Sequence, residues 1–411
     1  MAQAPARQRR LRAAARPLAA AAMTALAIPL FWSCVCLVAW AYIGYPLLTR
    51  WLARHRGQEP RISAAPETTP PVLTVVVCAF DEETRIGARI SDILAQDYPG
   101  DCLQVLVVSD GSRDRTVDVA AEVARDDPRV RVLALPGNVG KAAAVNAAMT
   151  RTHTALVAFT DVRQRYAPGA LRALVAPFAD PRVGAVSGEL MILDPPPAPS
   201  SKASAVEGGI YWRMEKRLRS DEARLQWLHG VSGSVYALRR ELFRPIPPGT
   251  ILDDMWVPLQ VILAGRWVWM SRDAIAYDQA SAHASEEFAR KLRTLAGNWQ
   301  LLALLPTLLD PTRNRVFFAW FSHKFLRLVV PWAMLLALLC SALAPGAFYR
   351  LALLAQLSGY AAASLGLRLP QLARRIPLLS AAGTFVMLNL ASLLSLPASL
   401  SGDSSRLWKK H

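Results

Sequence analysis

Apolar residues are concentrated at the two ends of this 411-residue chain, whereas the middle alternates between short apolar runs and amphipathic stretches. No charged side chain occurs in residues 18–48, a run longer than the ~20 residues that a helix needs to cross a bilayer. We predict one tilted membrane helix there, with a hairpin broken near Pro29 as the alternative. The run is too long for the apolar core of a secretory signal, and its Trp and Tyr residues are typical of a membrane anchor.

The apolar pattern returns in the last quarter of the chain. Residues 301–327 mix apolar and aromatic side chains with basic ones, which predicts helices that lie on a membrane surface. Three further runs predict membrane helices, near 328–344, 347–366 and 377–400. Arg350 and Gln356 lie in the middle run and weaken that prediction.

Between these ends, Val- and Leu-rich runs alternate with helix-like stretches. The predicted strands are 72–78, 103–109, 130–135 and 155–160. The predicted helices are near 82–95, 114–126, 140–150 and 168–179. This alternation indicates an α/β fold, with a mostly parallel sheet and helices on both of its faces. Ligands bind such sheets beyond the carboxyl ends of the strands, where Asp81, Asp110 and Asp161 are expected.

This pattern divides the chain into seven segments. They are a basic N-terminal segment (1–17), a membrane anchor (18–50), a linker (51–71), an α/β domain (72–300), interfacial helices (301–327), about three membrane helices (328–402) and a tail (403–411).

Composition supports a membrane protein. Hydrophobic residues make up 53% of the chain, and the formal net charge is +16. Much of the basic charge flanks the apolar runs, which favours a membrane surface over nucleic acid as the partner. The five cysteines have no metal-ligand spacing and are interpreted as small apolar residues in a reducing compartment.

Two motifs follow predicted strands and precede predicted helices. Asp110 ends a strand, and a carboxylate at that point suits hydrogen bonds from a nucleobase. A helix cap by Ser112 or Asp114, with a turn at Gly111, explains the rest of that motif but leaves Asp110 unexplained. Residues 137–141 lack the full P-loop pattern, so an ordinary loop and cap stays an alternative, yet Lys141 at a helix start favours an anion.

Acidic residues mark two more positions. Asp161 and Arg163 end the fourth strand, where two carboxylates with this spacing would hold a divalent metal that bridges two phosphates. Asp253 and Asp254 open a predicted helix, and dipole compensation alone would explain them. For catalysis, one of the two would act as general base while the other supports it, because adjacent helical side chains diverge.

Basic residues precede the interfacial segment. Arg290 and Arg293 fit either a basic helix face on anionic lipid or stabilisation of a leaving diphosphate, for which arginine offers a bidentate fork.

The order and spacing of these motifs resemble the membrane-bound, inverting glycosyltransferases of family 2, which include cellulose, hyaluronan and poly-N-acetylglucosamine synthases. The resemblance covers about residues 72–330 and implies a GT-A nucleotide-diphospho-sugar transferase domain with flanking transmembrane helices. It implies that Asp254 is the general base, with Asp253 beside it, and that Asp161 binds Mg²⁺ or Mn²⁺. The donor-binding residues that it implies are Phe80, Glu82, Asp110, Lys141, Asp161, Arg163, Arg290 and Arg293. The acceptor-side residues are Glu207, Tyr211, Trp212, Ser232 and Gly233.

Two departures from the family pattern change these expectations. Arg163 replaces the second metal-binding acid, so metal binding is expected to be weaker or differently arranged, and Arg163 itself is a candidate to meet the phosphates. Thr294 replaces the tryptophan that contacts the acceptor sugar in processive synthases, which places polymer synthesis in question.

The resemblance implies transfer of a sugar from a nucleotide-diphosphate sugar, with UDP as the expected nucleotide, to a growing polysaccharide or glycan. The anomeric carbon is inverted and a β-glycosidic bond forms. A single transfer to a polyprenyl or glycolipid acceptor and an inactive membrane scaffold of a polysaccharide export complex are the alternatives.

Because nucleotide sugars are cytosolic, the catalytic domain is expected on the cytosolic side of a bacterial-type inner membrane. One N-terminal span then places the N-terminal arginines outside, against the positive-inside trend, and a hairpin would remove that conflict. Membrane lipids and export or polysaccharide-assembly proteins are the further partners expected, and nucleic acid is not.

Overall fold

The computed structural model describes residues 24–62, 70–193, 210–279 and 284–401. These residues fall into two compact units. One contains the described residues up to Leu47 together with Ser322–Leu394, and the other contains Leu48–Phe321 together with the described residues from Ser395 onward.

An eight-stranded mixed sheet is the centre of the larger unit. Its strands are β1 (Leu73–Ala79), β2 (Leu103–Ser109), β3 (Val130–Ala134), β4 (Leu156–Thr160), β5 (Arg165–Tyr166), β6 (Val183–Leu193), β7 (Tyr236–Arg239) and β8 (Trp267–Gln279). Their spatial order is β3-β2-β1-β4-β7-β6-β8-β5. Strands β1 to β4 are mutually parallel, β7 runs antiparallel to β4 and β6, and β5 runs antiparallel to β8. The predicted α/β fold is confirmed, and the first four strands lie where the apolar runs placed them.

The helices, with the 3-10 turns omitted, are α1 (Thr24–Arg56), α2 (Ile86–Leu94), α3 (Thr116–Asp126), α4 (Lys141–Thr150), α5 (Ala170–Val175), α6 (Ile210–Arg224), α7 (Asp253–Leu263), α8 (Ala284–Leu304), α9 (Phe317–Leu343), α10 (Ala347–Arg368), α11 (Pro370–Arg375) and α12 (Pro377–Leu400). Both α1 and α9 contain one π-helical turn.

Alternating side chains of the parallel strands pack against helices on opposite faces. Leu73, Val75 and Val77 of β1 join α2, α3 and α5 in one buried cluster. Val76 and Leu106 are also buried and point to the other face, where α4 packs against β1 and β2. Burial on both faces explains why these strands read as continuous apolar runs.

Three helices in the described part of the chain are long and apolar enough to cross a membrane, namely α1, α9 and α12. Helix α1 continues through Pro29, so no hairpin forms within residues 24–56. The middle predicted C-terminal span, near 347–366, forms α10, which is not among the helices that are both long and apolar enough to cross a membrane. Helix α9 joins the end of the predicted interfacial segment and the first predicted C-terminal span into one helix.

Candidate active site

Asp110 holds together two loops at the carboxyl end of the sheet. It follows β2 and is 6% exposed, and its two carboxylate oxygens accept hydrogen bonds from the backbone N–H groups of Val139 (2.8 Å) and Gly140 (2.9 Å). Gly111 has φ +69° and packs directly on the backbone of Gly137. The loop after β2 is therefore fixed to the loop that leads into α4, and a contact between Asp110 and a nucleobase stays a prediction.

We expect Gly111→Ala to lower the free energy of unfolding by about 1–3 kcal/mol, since it forces a Cβ onto a left-handed backbone. That atom would lie 2.3 Å from the backbone carbon of Gly137. Gly137→Ala is the matched control, because among the described atoms its added methyl meets nothing within 4 Å. Denaturant titration of the purified variants measures both, and equal losses would contradict the role given to Gly111.

The segment that follows β1 is fixed to the segment that follows β2 by reciprocal hydrogen bonds. Asp81, at φ +51°, accepts from the Arg113 N–H at 2.8 Å, and the Glu82 N–H donates to Thr116 Oγ1 at 2.8 Å. The Glu82 carboxylate pairs with Arg85 at 3.1 Å. Phe80 and Glu82, the two predicted base-side residues, therefore lie in a segment whose backbone is held on one side by the start of α3.

Lys141 brings two distant acids together. Its ammonium lies 2.9 Å from Asp161 Oδ1, after β4, and 3.6 Å from Asp253 Oδ2, at the start of α7. Burial alone would lower the pKa of Lys141, but Asp161 and Asp253 raise that pKa well above its usual range. Lys141 is thus a permanently charged group between Asp161, the predicted metal ligand, and Asp253, one of the two predicted catalytic acids.

The two adjacent acids of α7 have different surroundings. Asp253 is 7% exposed, and within the described part of the chain its Oδ2 has no hydrogen-bond partner beyond the longer ion pair to Lys141. Asp254 is half-buried and lies beside Gly233, where an added Cβ would meet its carboxylate Oδ2 at 3.4 Å. The Val231 N–H also donates to the Asp254 backbone carbonyl at 3.0 Å. The structure therefore brings together Asp254 and the loop containing Ser232 and Gly233.

The two arginines of α8 also differ. The Arg290 guanidinium donates to Glu287 Oε2, through Nε at 2.8 Å, and Glu287 is buried. Burial lowers the pKa of Arg293, and the charges of Asp254, Asp161 and Asp253 oppose that shift. Arg293 therefore shares the electrostatic field of the acid cluster. Thr294 is exposed, and its hydroxyl donates to the Arg290 carbonyl at 3.0 Å.

Arg163 pairs with an acid that does not belong to the cluster around Lys141. Its guanidinium donates to Asp278 Oδ2 of β8 at 2.9 Å, and Gln164 donates to the same oxygen at 2.8 Å. Asp278 is 7% exposed and was not predicted from the sequence, because a single acid in a strand, 115 residues from its partner, gives no local signal. Only Nη2 of Arg163 takes part in this ion pair, and the side chain is 54% exposed, so a role for its other N–H groups at the phosphates stays a prediction.

The remaining acceptor-side predictions lie on or near α6. Glu207 lies outside the described residues, and Tyr211 lies in the first turn of the helix. Trp212 is half-buried, and the Lys216 ammonium lies 5.6 Å from the centre of its ring. The geometry thus ties the loop containing Ser232 and Gly233 to Asp254, and a role for Trp212 at the acceptor stays a prediction.

Asp161 offers few ligand atoms for a metal ion. Lys141 binds Oδ1, so Oδ2 is left outside that ion pair, and the side chain is 37% exposed. Magnesium is commonly held by one or two carboxylates together with substrate phosphates. A single accessible carboxylate therefore fits a divalent cation whose other ligands come mainly from a bound diphosphate.

Comparison with known proteins agrees with this fold. Residues 74–246 match the family described as Glycosyl transferase family 2. An N-acetylglucosaminyltransferase from Rhizobium meliloti is 42% identical over 136 residues, 32% of each protein. A beta-monoglucosyldiacylglycerol synthase from Synechocystis sp. is 30% identical over 139 residues, 30% of this chain and 29% of the relative. The chain thus matches about a third of the length of these two relatives.

In two further comparisons, the match covers more of the other protein's length. An N-acetylglucosaminyltransferase from Rhizobium leguminosarum bv. trifolii is 36% identical over 128 residues, which are 30% of this chain and 70% of the relative. One similar solved structure is that of mannosyltransferase PcManGT from Pyrobaculum calidifontis, in complex with GDP-Man and Mn²⁺. It superposes on this chain with a TM-score of 0.68 and is 24% identical in sequence. The superposition covers 91% of this chain and 99% of PcManGT. The fold is therefore that of the GT-A enzymes, and the chain belongs to glycosyl transferase family 2.

Proposed function

We propose that this protein is a membrane glycosyltransferase that transfers a sugar from a nucleotide-diphosphate sugar, with UDP as the expected nucleotide, to a growing polysaccharide or glycan. The observation that carries this proposal is the convergence of Lys141, Asp161, Asp253, Asp254 and Arg293 beyond the carboxyl ends of β1 and β4. Parallel α/β sheets bind their ligands at that edge. Two cations and three carboxylates within one site suit a substrate that carries a diphosphate and a reacting hydroxyl.

In the proposed reaction, Asp254 accepts the proton of the acceptor hydroxyl. The hydroxyl oxygen forms a bond to the anomeric carbon on the face opposite the diphosphate, and the bond from that carbon to the diphosphate oxygen breaks. Inversion at an α-linked donor then gives a β-linkage. Gly233 lies beside the Asp254 carboxylate, and the absence of a side chain there leaves room for an acceptor to approach.

Positive charge for the leaving diphosphate comes from Arg293 and Lys141 in this proposal. Mg²⁺ or Mn²⁺ bound at Asp161 would add Lewis-acid neutralisation of the two phosphates when the donor binds. The PcManGT structure contains Mn²⁺ together with its GDP-Man donor, which supports testing both a metal and a second nucleotide.

The site chemistry also supports the proposed location. Nucleotide sugars are cytosolic, so the catalytic unit is placed on the cytosolic side of the inner membrane, with α1, α9 and α12 as the spanning helices. Glycan or lipid acceptors, membrane lipids and export or assembly proteins are the proposed partners.

Release of nucleoside diphosphate by the purified full-length protein tests this function. A panel of UDP- and GDP-sugars is incubated with Mg²⁺, Mn²⁺ or EDTA, with membrane extract as the source of acceptor. We expect turnover with one donor and a marked loss of rate in EDTA. Absence of turnover with every donor, from protein that still binds nucleotide, would favour the inactive scaffold over an enzyme.

A single transfer to a lipid acceptor is the second candidate. Thr294 is exposed and polar at the position where processive synthases of this family have tryptophan, and one relative is named a beta-monoglucosyldiacylglycerol synthase. Gel separation of the labelled product distinguishes the two candidates, because one added sugar moves with the lipids and a polymer does not.

A further inference from the structure

A large open groove lies outside the candidate active site. It has a volume of about 1020 Å³ and is bounded by α6, by β6 and β8, and by the residues that follow α1. None of the acids and cations assigned above to the reaction lines it. The groove is therefore a separate feature of the catalytic unit.

One face of α6 lines this groove with basic side chains. Arg213, Lys216, Arg217 and Arg224 recur at helical spacing and all line it. Lys216 is paired with Glu189 of β6 at 2.8 Å, and Arg224 is paired with Glu59 at 3.6 Å. Among the described residues, Arg213 and Arg217 form no ion pair, and both are exposed. One helical turn therefore presents to the groove two guanidinium groups that form no ion pair within the described residues, although the charge of Arg217 acts on Asp221 one turn further along.

The groove adjoins the end of a candidate membrane helix. Helix α1 ends at Arg56, and the Gln58 N–H donates to the Arg224 carbonyl at 2.8 Å. Burial raises the pKa of Asp221 in the groove wall, with Arg217, Arg224, Arg50 and Arg54 opposing the shift. Basic residues at the end of an apolar span lie at the level of lipid headgroups, where an anionic leaflet attracts them. One end of the groove is therefore expected at that level.

Apolar side chains accompany the charges. Ile62 is 56% exposed and Met191 is 37% exposed, and both line the groove together with half-buried Trp269. A free phosphate ion would gain nothing from these surfaces, whereas the glycerol and first acyl carbons of a lipid would cover them.

We propose that the groove binds the headgroup of an anionic phospholipid, with Arg213 and Arg217 as the ligands of its phosphate. Arginine offers paired N–H donors that match two phosphate oxygens. The proposal does not depend on which sugar or acceptor the active site uses.

The test is a binding titration of the full-length protein in an uncharged detergent, followed by thermophoresis. Three probes are compared: dihexanoyl-phosphatidylglycerol, dihexanoyl-phosphatidylcholine and inorganic phosphate. We expect saturable binding of the phosphatidylglycerol only. The Arg213→Gln/Arg217→Gln variant should bind it about 30-fold more weakly, from about 1 kcal/mol for each lost cation.

Arg125→Gln/Arg151→Gln is the matched control, since it removes two exposed arginines from elsewhere on the catalytic unit. An equal loss in that control would overturn the proposal in favour of unspecific surface charge. Equal affinity for phosphatidylcholine, or full competition by inorganic phosphate, would overturn it without any variant. These two measurements keep the test decisive should the groove variant fail to fold.

Discussion

Replacing Asp254 with Asn should lower the turnover number about 1000-fold, the usual contribution of a positioned general base, while nucleotide affinity changes little. The amide has nearly the shape of the carboxylate, so its contact with Gly233 is kept, but it cannot accept the acceptor proton. Donor binding is expected to survive because Lys141 pairs with Asp161 and Asp253 rather than with Asp254. Diphosphate release measures turnover, and calorimetric titration with the nucleoside diphosphate measures binding.

Asp126→Asn serves as the control, because Asp126 is an exposed acid at the end of α3. It should leave both turnover and affinity unchanged. Normal turnover in the Asp254 variant would remove Asp254 as the base and leave Asp253 as the acid to test. A parallel loss of nucleotide affinity would instead indicate that Asp254 acts on the donor.

Replacing Lys141 with Met should lower the free energy of unfolding by about 3 kcal/mol, because it leaves two carboxylates without their cation in a mostly buried site. We take the lower end of the range for a broken buried pair, since the Lys141 side chain is 24% exposed. The apparent melting temperature should fall by about 10 °C. Turnover should fall as well, because Lys141 supplies positive charge to the diphosphate in the proposed reaction.

A double substitution separates charge from packing. In Lys141→Met/Asp161→Asn one of the two unpaired carboxylates is also removed, so the combined loss of stability should be smaller than the sum of the single losses. Arg172→Met, which breaks the exposed pair with Asp97, should cost no more than about 1 kcal/mol. Strict additivity of the two substitutions at the site would show that the ion pair does not stabilise the protein.

The parallel half of the sheet could be predicted from the sequence because its strands are buried on both faces. The Val-rich runs that became β1 and β2 have almost no polar positions, and this is the pattern that central parallel strands require. Strand β8 was not predicted, although it has 13 residues, since exposed and polar positions interrupt it. Its partner β6 lies far earlier in the chain, so no turn motif links the two strands.

The candidate site was predicted as a set of residues but not as a set of contacts. Lys141, Asp161, Asp253 and Asp254 were identified because they end strands or begin helices, where local sequence is informative. That Lys141 bridges Asp161 and Asp253 depends on the placement of the start of α7 near the residue that follows β4, and α7 itself is held by packing against β6 and β8. The pairing of Arg163 with Asp278 is equally long-range.

The bonds from Val139 and Gly140 to Asp110 have a consequence for synthesis on the ribosome. The partners are 29 and 30 residues apart, and α3 and β3 lie between them. A nascent chain that ends before residue 139 lacks both donors, so the loop after β2 cannot be fixed to the loop that leads into α4 until those residues have been made. Protection of the loop after β2 against proteolysis should therefore appear only in chains that extend past residue 140, which makes it a reporter of cotranslational folding of the parallel half of the sheet.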